Sequence, residues 1–284
     1  MESISKKYIK NLLQKRRTDT HKGTYGKVLI IAGSLGMTGA AVLAAKGALR
    51  GGAGLVRVSI DETLFPIIQN SVTEATCVHP NMGAHILEEY DSIIIGPGLS
   101  TSQEGVFAVA KLMANYKGNV VMDADALNII AQNNVELRTF AAGKIITPHP
   151  GEAGKLIGIP VSEINANREK AVSFLADSTG SVAVLKGHGT LISLPRKTDK
   201  EPVHIFKNPT GNPGMATGGS GDVLSGVIGA FLAQGMNLKD AAMAGVYIHG
   251  LAGDLAAKEF GEYGLIAGDI AKYVAYAIKH IQNQ

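Results

Sequence analysis

Apolar positions along the chain fall into two textures. Short runs that are apolar at nearly every position occupy 27–32 (KVLIIA), 92–95 (SIII), 119–122 (NVVM), 144–147 and 182–186. The stretches 54–60 (GLVRVSI) and 75–79 belong with them, the second as a short strand. Between these runs lie stretches with helical spacing at 39–49, 105–116, 126–132, 151–157 and 168–177. Strands that are continuously apolar, each followed by a helix, predict a parallel sheet covered on both faces. After Lys186 the texture changes. The runs 182–186, 190–194 and 203–206 predict successive strands with short turns, an antiparallel patch at the sheet edge. The remainder predicts three helices, 222–234, 238–257 and 267–281. No long linker and no internal repeat interrupts the pattern, so one α/β domain over 1–284 with a three-layer arrangement is expected.

Composition narrows the class. With 284 residues the chain can bury a large core without disulfides or metals as staples. Its single cysteine, Cys77, rules out an intramolecular disulfide, fits a reducing compartment, and reads as a buried structural thiol. Net charge is +3, from 27 basic and 24 acidic residues, too small a field to imply nucleic acid. Much of the excess sits in Lys6, Lys7, Lys10, Lys15, Arg16 and Arg17. Tyr8, Ile9, Leu12 and Leu13 share a helical spacing there, so these charges read as the solvated face of a helix. No apolar stretch follows them, so a secretory leader is not expected, nor is a membrane span, which needs about 18 apolar residues. A cytoplasmic protein is expected. The stretch 241–257 is apolar nearly all round, which suggests burial between subunits of a homo-oligomer.

The 35 glycines cluster in short loops, and those loops follow strands: Gly33-Ser34, Gly96-Pro97-Gly98, Asp123-Ala124-Asp125, Thr147-Pro148-His149-Pro150 and Lys186-Gly187-His188. In open α/β sheets ligands bind at the carboxyl ends of strands, so one site built from these loops is expected. The strongest motif is Thr217-Gly218-Gly219-Ser220-Gly221-Asp222, running into an apolar helix. Bare amides and the positive end of a helix dipole suit an anion, especially one gaining charge. Asp222 has two readings. A first-turn acid stabilises its own helix by roughly 0.3–1 kcal/mol. Beside a phosphate, however, a carboxylate is repulsive unless used, and there it would take the proton of an attacking hydroxyl. The surrounding glycines favour the second reading.

These motifs carry a resemblance. The GGSGD segment resembles the anion hole and catalytic base of the ribokinase-like superfamily. Together with Thr147-Pro148-His149-Pro150-Gly151-Glu152, Gly96-Pro97-Gly98-Leu99, Asp123-Ala124-Asp125-Ala126-Leu127-Asn128 and Lys186-Gly187-His188-Gly189-Thr190, it resembles the ADP/ATP-dependent NAD(P)H-hydrate dehydratase family. The likeness runs from about His21 to the last helix, and these five separated motifs carry it. It implies a ribokinase-like three-layer sandwich, with a mainly parallel sheet between two helix layers. It also implies a repair reaction: NADH or NADPH hydrated on the nicotinamide ring is phosphorylated on the ring hydroxyl by ADP or ATP, and phosphate then leaves. The resemblance assigns Asp222 as base and Gly221 to the anion hole. It lays Lys186, Gly187, His188, Gly189 and Thr190 along the nucleotide, and sets Ala41, Gly98 and His149, with Asp222, against the hydrated dinucleotide. Glu152 matches the acid that organises magnesium, usually through water, in the wider superfamily. Relatives suggest a tetramer, bacterial members favour ADP, and a partner epimerase activity is expected on a separate chain.

Taken singly, several of these residues keep a plainer reading. Lys186 reads equally as an exposed edge lysine, and Gly187 and Gly189 as hairpin-turn residues. Glu152 reads as a favourable first-turn acid. Asp123 and Asp125 would pair with a cation or cap the helix near Ala126, with capping preferred for Asp125. Asn128 has no assigned role. His21 to Tyr25 form either a loop over the phosphates or a connector. Three other functions compete. Gly33, Gly36 and Gly39 with Asp61 approximate a dinucleotide-binding fingerprint, but the spacing is GxxGxxG rather than GxGxxG. A small-molecule kinase of the same superfamily would share Asp222 and the anion hole. A non-catalytic nucleotide sensor would have no use for Asp222.

Overall fold

The computed structural model describes all residues except Gln14, Asp199 and Gln284. In chain order the elements begin with β1 (Glu2–Ser3), α1 (Lys6–Leu12), β2 (Lys27–Ile31), α2 (Thr38–Arg50), β3 (Leu55–Ser59), α3 (Phe65–Ser71) and β4 (Thr76–Val78). They continue with β5 (Ser92–Ile95), α4 (Gln103–Asn115), β6 (Asn119–Met122), α5 (Asp125–Gln132), β7 (Gly143–Ile146), α6 (Pro150–Ile157), α7 (Val161–Ala166) and α8 (Arg168–Thr179). The last are β8 (Val182–Leu185), β9 (Leu191–Ser193), β10 (Ile205–Lys207), α9 (Ser220–Ala233), α10 (Leu238–Gly264) and α11 (Ala267–Asn283). Most predicted elements stand within two residues of their expected ends. Helices α3 and α7 and strand β1 were not foreseen, and α10 runs past the expected 257 to a break at Gly261, where φ is 71°.

Among the described residues ten strands form one sheet in the order β1-β10-β9-β8-β7-β6-β5-β2-β3-β4. From β4 to β8 every pairing is parallel, and β8, β9 and β10 pair antiparallel, as the change of texture after Lys186 predicts. The order reverses at β2, which lies between β3 and β5. Alternate side chains along each strand feed two cores. Val28 and Ile30 of β2 join Val121 and Ile145 beneath α1, α2, α3, α9, α10 and α11. Leu29 and Ile31 join Ile93, Ile95 and Met122 beneath α4 to α8. The fold is therefore a three-layer α/β sandwich with a mainly parallel central sheet.

Two glycines seat the helix that carries the strongest motif. A methyl group at Gly47 of α2 would overlap the Val223 carbonyl, and one at Gly226 of α9 would overlap the Ala44 carbonyl. The two helix backbones thus touch, and nothing larger than hydrogen fits between them.

Helix α10 corrects one expectation. Ala241 to Gly250, with Ala252, Gly253 and Ala256, are buried, but by α9, α11 and strands of the same chain. The apolar circumference of α10 is explained without a second subunit. Lys6, Lys7 and Lys10 are exposed on α1 while Ile9 and Leu13 are buried, as the N-terminal pattern predicts. Cys77 is half-buried on β4, an edge strand, and burial raises its thiol pKa. It is a quiescent packing group, though less enclosed than expected.

Candidate active site

The carboxyl ends of the parallel strands meet the start of α9. Gly219 sits at the helix cap with φ 88°, a left-handed conformation, and a side chain there would run into Leu43. Having no side chain, it caps nothing. The Ser220 amide bonds the Thr217 carbonyl at 3.3 Å, and the first helical bond runs from the Val223 amide to the Gly219 carbonyl at 3.2 Å. Among the described residues the amides of Gly221 and Asp222 have no partner. A helix start with open amides is an anion site in waiting.

Lys186 stands beside these amides at the end of β8. Its Nζ lies 2.5 Å from Asp123 Oδ1 and 3.8 Å from Glu152 Oε2, and its side chain is only 18% exposed. A methyl placed on Gly221 would sit 3.3 Å from the same nitrogen. The reading of Lys186 as an exposed edge lysine is thereby excluded. Burial would depress its pKa, but the carboxylates of Asp123 and then Glu152 overcome that and raise it. Asp123 is itself buried and accepts the Ser225 hydroxyl at 2.7 Å on Oδ2.

Asp222 completes the cluster. Burial first, and the Asp123 charge second, push its pKa up to about 7, while Lys186 pulls the other way. A carboxyl poised there exchanges a proton readily at neutral pH.

The neighbouring helix start is built differently. His149 caps α6: its Nδ1 accepts the amides of Gly151 at 2.9 Å and Glu152 at 3.2 Å. Glu152 Oε2 accepts the His149 amide at 2.8 Å in return. This is a closed capping box with histidine in the serine position. Because Nδ1 accepts two bonds, the neutral ring carries its proton on Nε2, which lies 3.4 Å from Glu152 Oε1, and the side chain is 56% exposed.

Other expected residues fall into place or are corrected. Lys186, Gly187, His188, Gly189, Thr190 and Gly221 line one cleft of about 460 Å³. Gly98 is half-buried, and its carbonyl accepts the Ser34 hydroxyl at 2.9 Å, tying the loops after β2 and β5 together. Ala41 is fully buried under Gly33, so it packs the loop after β2 and does not itself face a ligand. Asp125 does not cap α5: it lies inside the first turn and accepts the Ser100 amide at 2.9 Å, because Ala124, at φ 48°, takes the cap position. Asn128 accepts Lys155 Nζ at 2.9 Å. His21 to Tyr25 form a capped turn against Gly54 at the amino end of β2, away from the site edge, and are a connector. Asp61 bonds Thr63 as a local cap.

The cleft also takes in residues that sequence reasoning did not single out. Asn208, Thr210, Met215 and His249 line it. The glycine and proline run from Asn208 to Gly214 offers a turn signal for the first two, but nothing marks Met215, and nothing in the helical pattern of α10 marks where His249 points. A second cleft of about 570 Å³ opens beyond the ends of β2, β3 and β4, lined by Ser34, Asp61, His79, Leu99 and Phe107 among others. The loops after β5, β6 and β7 lie between the two. Among the described residues no three His, Cys, Asp or Glu side chains are grouped to hold a metal ion. Glu152 is already engaged by the His149 amide and by Lys186. A direct protein cage for magnesium does not fit.

A profile of the family described as NAD(P)H-hydrate dehydratase matches residues 28–275. The chain is 43% identical over 263 residues to a bifunctional NAD(P)H-hydrate repair enzyme of Coxiella burnetii, matching 91% of this chain and 51% of that protein. It is 38% identical to an ADP-dependent (S)-NAD(P)H-hydrate dehydratase of Neisseria meningitidis, over 92% of this chain and 88% of that one. The chain thus spans about half the length of the bifunctional relatives and nearly all of the single-function one. Among solved structures, the ADP/ATP-dependent NAD(P)H-hydrate dehydratase of Bacillus subtilis, co-crystallised with ATP and magnesium, superposes with a TM-score of 0.86. Identity to it is 32%, covering 99% of this chain and 98% of that one.

Proposed function

The chain belongs to the NAD(P)H-hydrate dehydratase family, and from that membership we propose that it restores NADH or NADPH from the hydrated dinucleotide, driven by ADP or ATP. Its ribokinase-like sandwich is the scaffold for that chemistry. One observation carries the proposal: a half-buried carboxyl, Asp222, with a pKa of about 7 stands at a helix start whose amides are open.

The nucleotide lies along Lys186 to Thr190, with its terminal phosphoryl group against the amides of Gly221 and Asp222. The hydrated dinucleotide enters from the second cleft and the loops between, within reach of Gly98 and the exposed edge of His149. Asp222 takes the proton of the ring hydroxyl as that oxygen attacks phosphorus. The new O–P bond forms as the bond to the leaving nucleotide breaks, giving AMP from ADP or ADP from ATP. The open amides gain strength as charge builds on the phosphoryl oxygens. The ring C–O bond then breaks, phosphate departs with the bonding pair, and loss of a proton from the neighbouring carbon restores the double bond. Phosphate leaves where hydroxide would not. Lys186 neutralises phosphate charge as a point cation once it is shared between Asp123 and the nucleotide. Magnesium would bind chiefly through the nucleotide phosphates, with Glu152 reaching it through water, and would neutralise charge on the transferred group.

A homo-oligomer, a tetramer by resemblance, is part of the proposal. Exposed Phe260, Tyr263, Ile266 and Tyr276 at the α10–α11 end support it, and a monomeric mass by light scattering would remove it. The dinucleotide substrate is the ground for a cytoplasmic setting. The decisive experiment incubates the protein with acid-hydrated NADH, magnesium and ADP or ATP. Recovery of the reduced-nicotinamide absorbance is expected. No recovery with either nucleotide, together with a stable phosphorylated product from a small alcohol, would assign the protein to the small-molecule kinases instead.

A further inference from the structure

His249 is buried on α10 and lines the nucleotide cleft, yet no step above uses it. Its Nε2 lies 2.9 Å from the Ser220 carbonyl oxygen and 3.4 Å from Ser220 Oγ. Ser220 is the residue whose carbonyl shares a peptide plane with the Gly221 amide. In a trans peptide the C=O and N–H point in opposite directions, so a bond that holds one aims the other.

We propose that His249 is a positioning residue for the phosphoryl site: by donating Nε2–H to the Ser220 carbonyl it locks the Ser220–Gly221 peptide and aims the Gly221 amide away from α10, at the phosphoryl group. The inference rests on the dehydratase reading of the site.

Three observations support it. The Ser220 carbonyl stands at the start of the helical ladder of α9 and carries a second lone pair, which the His249 bond takes from outside the helix, where no side-chain cap holds the turn before Gly221. The ring is held neutral, because burial pushes its pKa down to about 4, and a neutral ring that donates from Nε2 adds no charge to compete with phosphate. The wall carrying His249 is itself pinned. Asn208 Nδ2 donates to the Val246 carbonyl at 3.1 Å, and Thr210 Oγ1 donates to the Tyr247 carbonyl at 3.0 Å. A donor bonded to a carbonyl also polarises that peptide and strengthens its amide as a donor in turn.

The test is a substitution pair with a tautomer measurement. His249→Leu removes the donor and should lower kcat by about tenfold to a hundredfold, somewhat less than the loss of an oxyanion donor outright. KM for ADP should stay within about threefold, since ground-state binding is not what the lock serves. His249→Gln places an amide N–H near the original Nε2 and should recover most of the kcat. A kcat unchanged in His249→Leu with only KM raised would make the residue a plain cleft wall and overturn the proposal. So would a folded His249→Gln protein as slow as His249→Leu. Nitrogen NMR of the ligand-free wild type, labelled at the imidazoles, should find the proton of His249 on Nε2. A proton on Nδ1 overturns the proposal whether or not the Leu variant folds. If the wild type fails to restore hydrated NADH, the proposed function falls, and the tautomer still decides the hydrogen bond on which His249 acts.

Discussion

Helices α6 and α9 both begin at the carboxyl edge of the sheet, and both begin with the problem of amides that lack helical partners, three at α6, where Pro150 brings no N–H, and four at α9. Helix α6 solves it internally. His149 satisfies two of the amides, and Glu152 satisfies the His149 amide in turn. Helix α9 leaves it open: Gly219 brings no side chain, and the amides of Gly221 and Asp222 stay unpaired among the described residues. The difference teaches how to tell a structural helix start from a functional one at the same sheet edge. A satisfied start stabilises the fold whether or not ligand is present; an open start holds its hydrogen-bonding capacity for something that arrives.

The contrast between the two helix starts has its largest consequence at Asp222. The Asp222→Asn variant is expected to lose on the order of 10²–10⁴ in kcat, the scale of a general base, while nucleotide binding measured by equilibrium dialysis is largely kept. Its stability should move the opposite way. The folded carboxyl keeps its proton up to about pH 7, whereas the unfolded chain releases it near the ordinary 3.8, so the charge penalises the fold increasingly across that interval. The ligand-free Asn variant should therefore melt higher than wild type at pH 8, and the gap should shrink toward pH 5.

Gly221→Ala gives a smaller effect of the same divided kind. Its backbone is not left-handed, and the new methyl would meet Lys186 Nζ at 3.3 Å and Asp123 Oδ2 at 3.8 Å, so the lysine tip must shift slightly. Activity should fall on the order of tenfold, by the measure of a displaced phosphate partner. Stability should rise by up to roughly 1 kcal/mol from the better helix former. Thermal melting and steady-state rates on one preparation check both signs.

The pH dependence is gentler still. Since the base must be ionised, kcat/KM is expected to rise through pH about 7 as Asp222 loses its proton. Asp123→Asn removes the second cause of that raised pKa and frees Lys186, so the rise should move to lower pH. A rise that stays in place would detach the two carboxyls from each other.

The smallest effect belongs to the closed start. His149→Ala should cost about 0.5–2 kcal/mol of folding free energy, as the loss of a cap does, readable as a modest fall in Tm.

Sequence patterning carried the layered α/β class, the parallel run of strands and the antiparallel edge, because these follow from which residues must be buried on which side. It also brought the strand-end loops to one edge, since that follows from the parallel order. It missed α3 and α7, short helices of seven and six residues whose apolar content is too small to show a period. The Asp123–Lys186 pair joins residues 63 positions apart, and the pattern offered only an unnamed cation for Asp123. His249 was hidden by its setting: on a helix apolar all round, direction cannot be read from spacing. The same helix misled in another respect, because an apolar circumference records burial and says nothing about whose atoms do the burying.

The close approach of α2 and α9, Gly47 against Val223 and Gly226 against Ala44, has a consequence for anyone altering the protein's preferences. The helix bearing the base is seated backbone to backbone on the helix that follows the Gly33 loop, so its distance from that loop cannot be adjusted by side-chain size. New specificity has to be written into the loops at the sheet edge, over a spacing that is inherited unchanged.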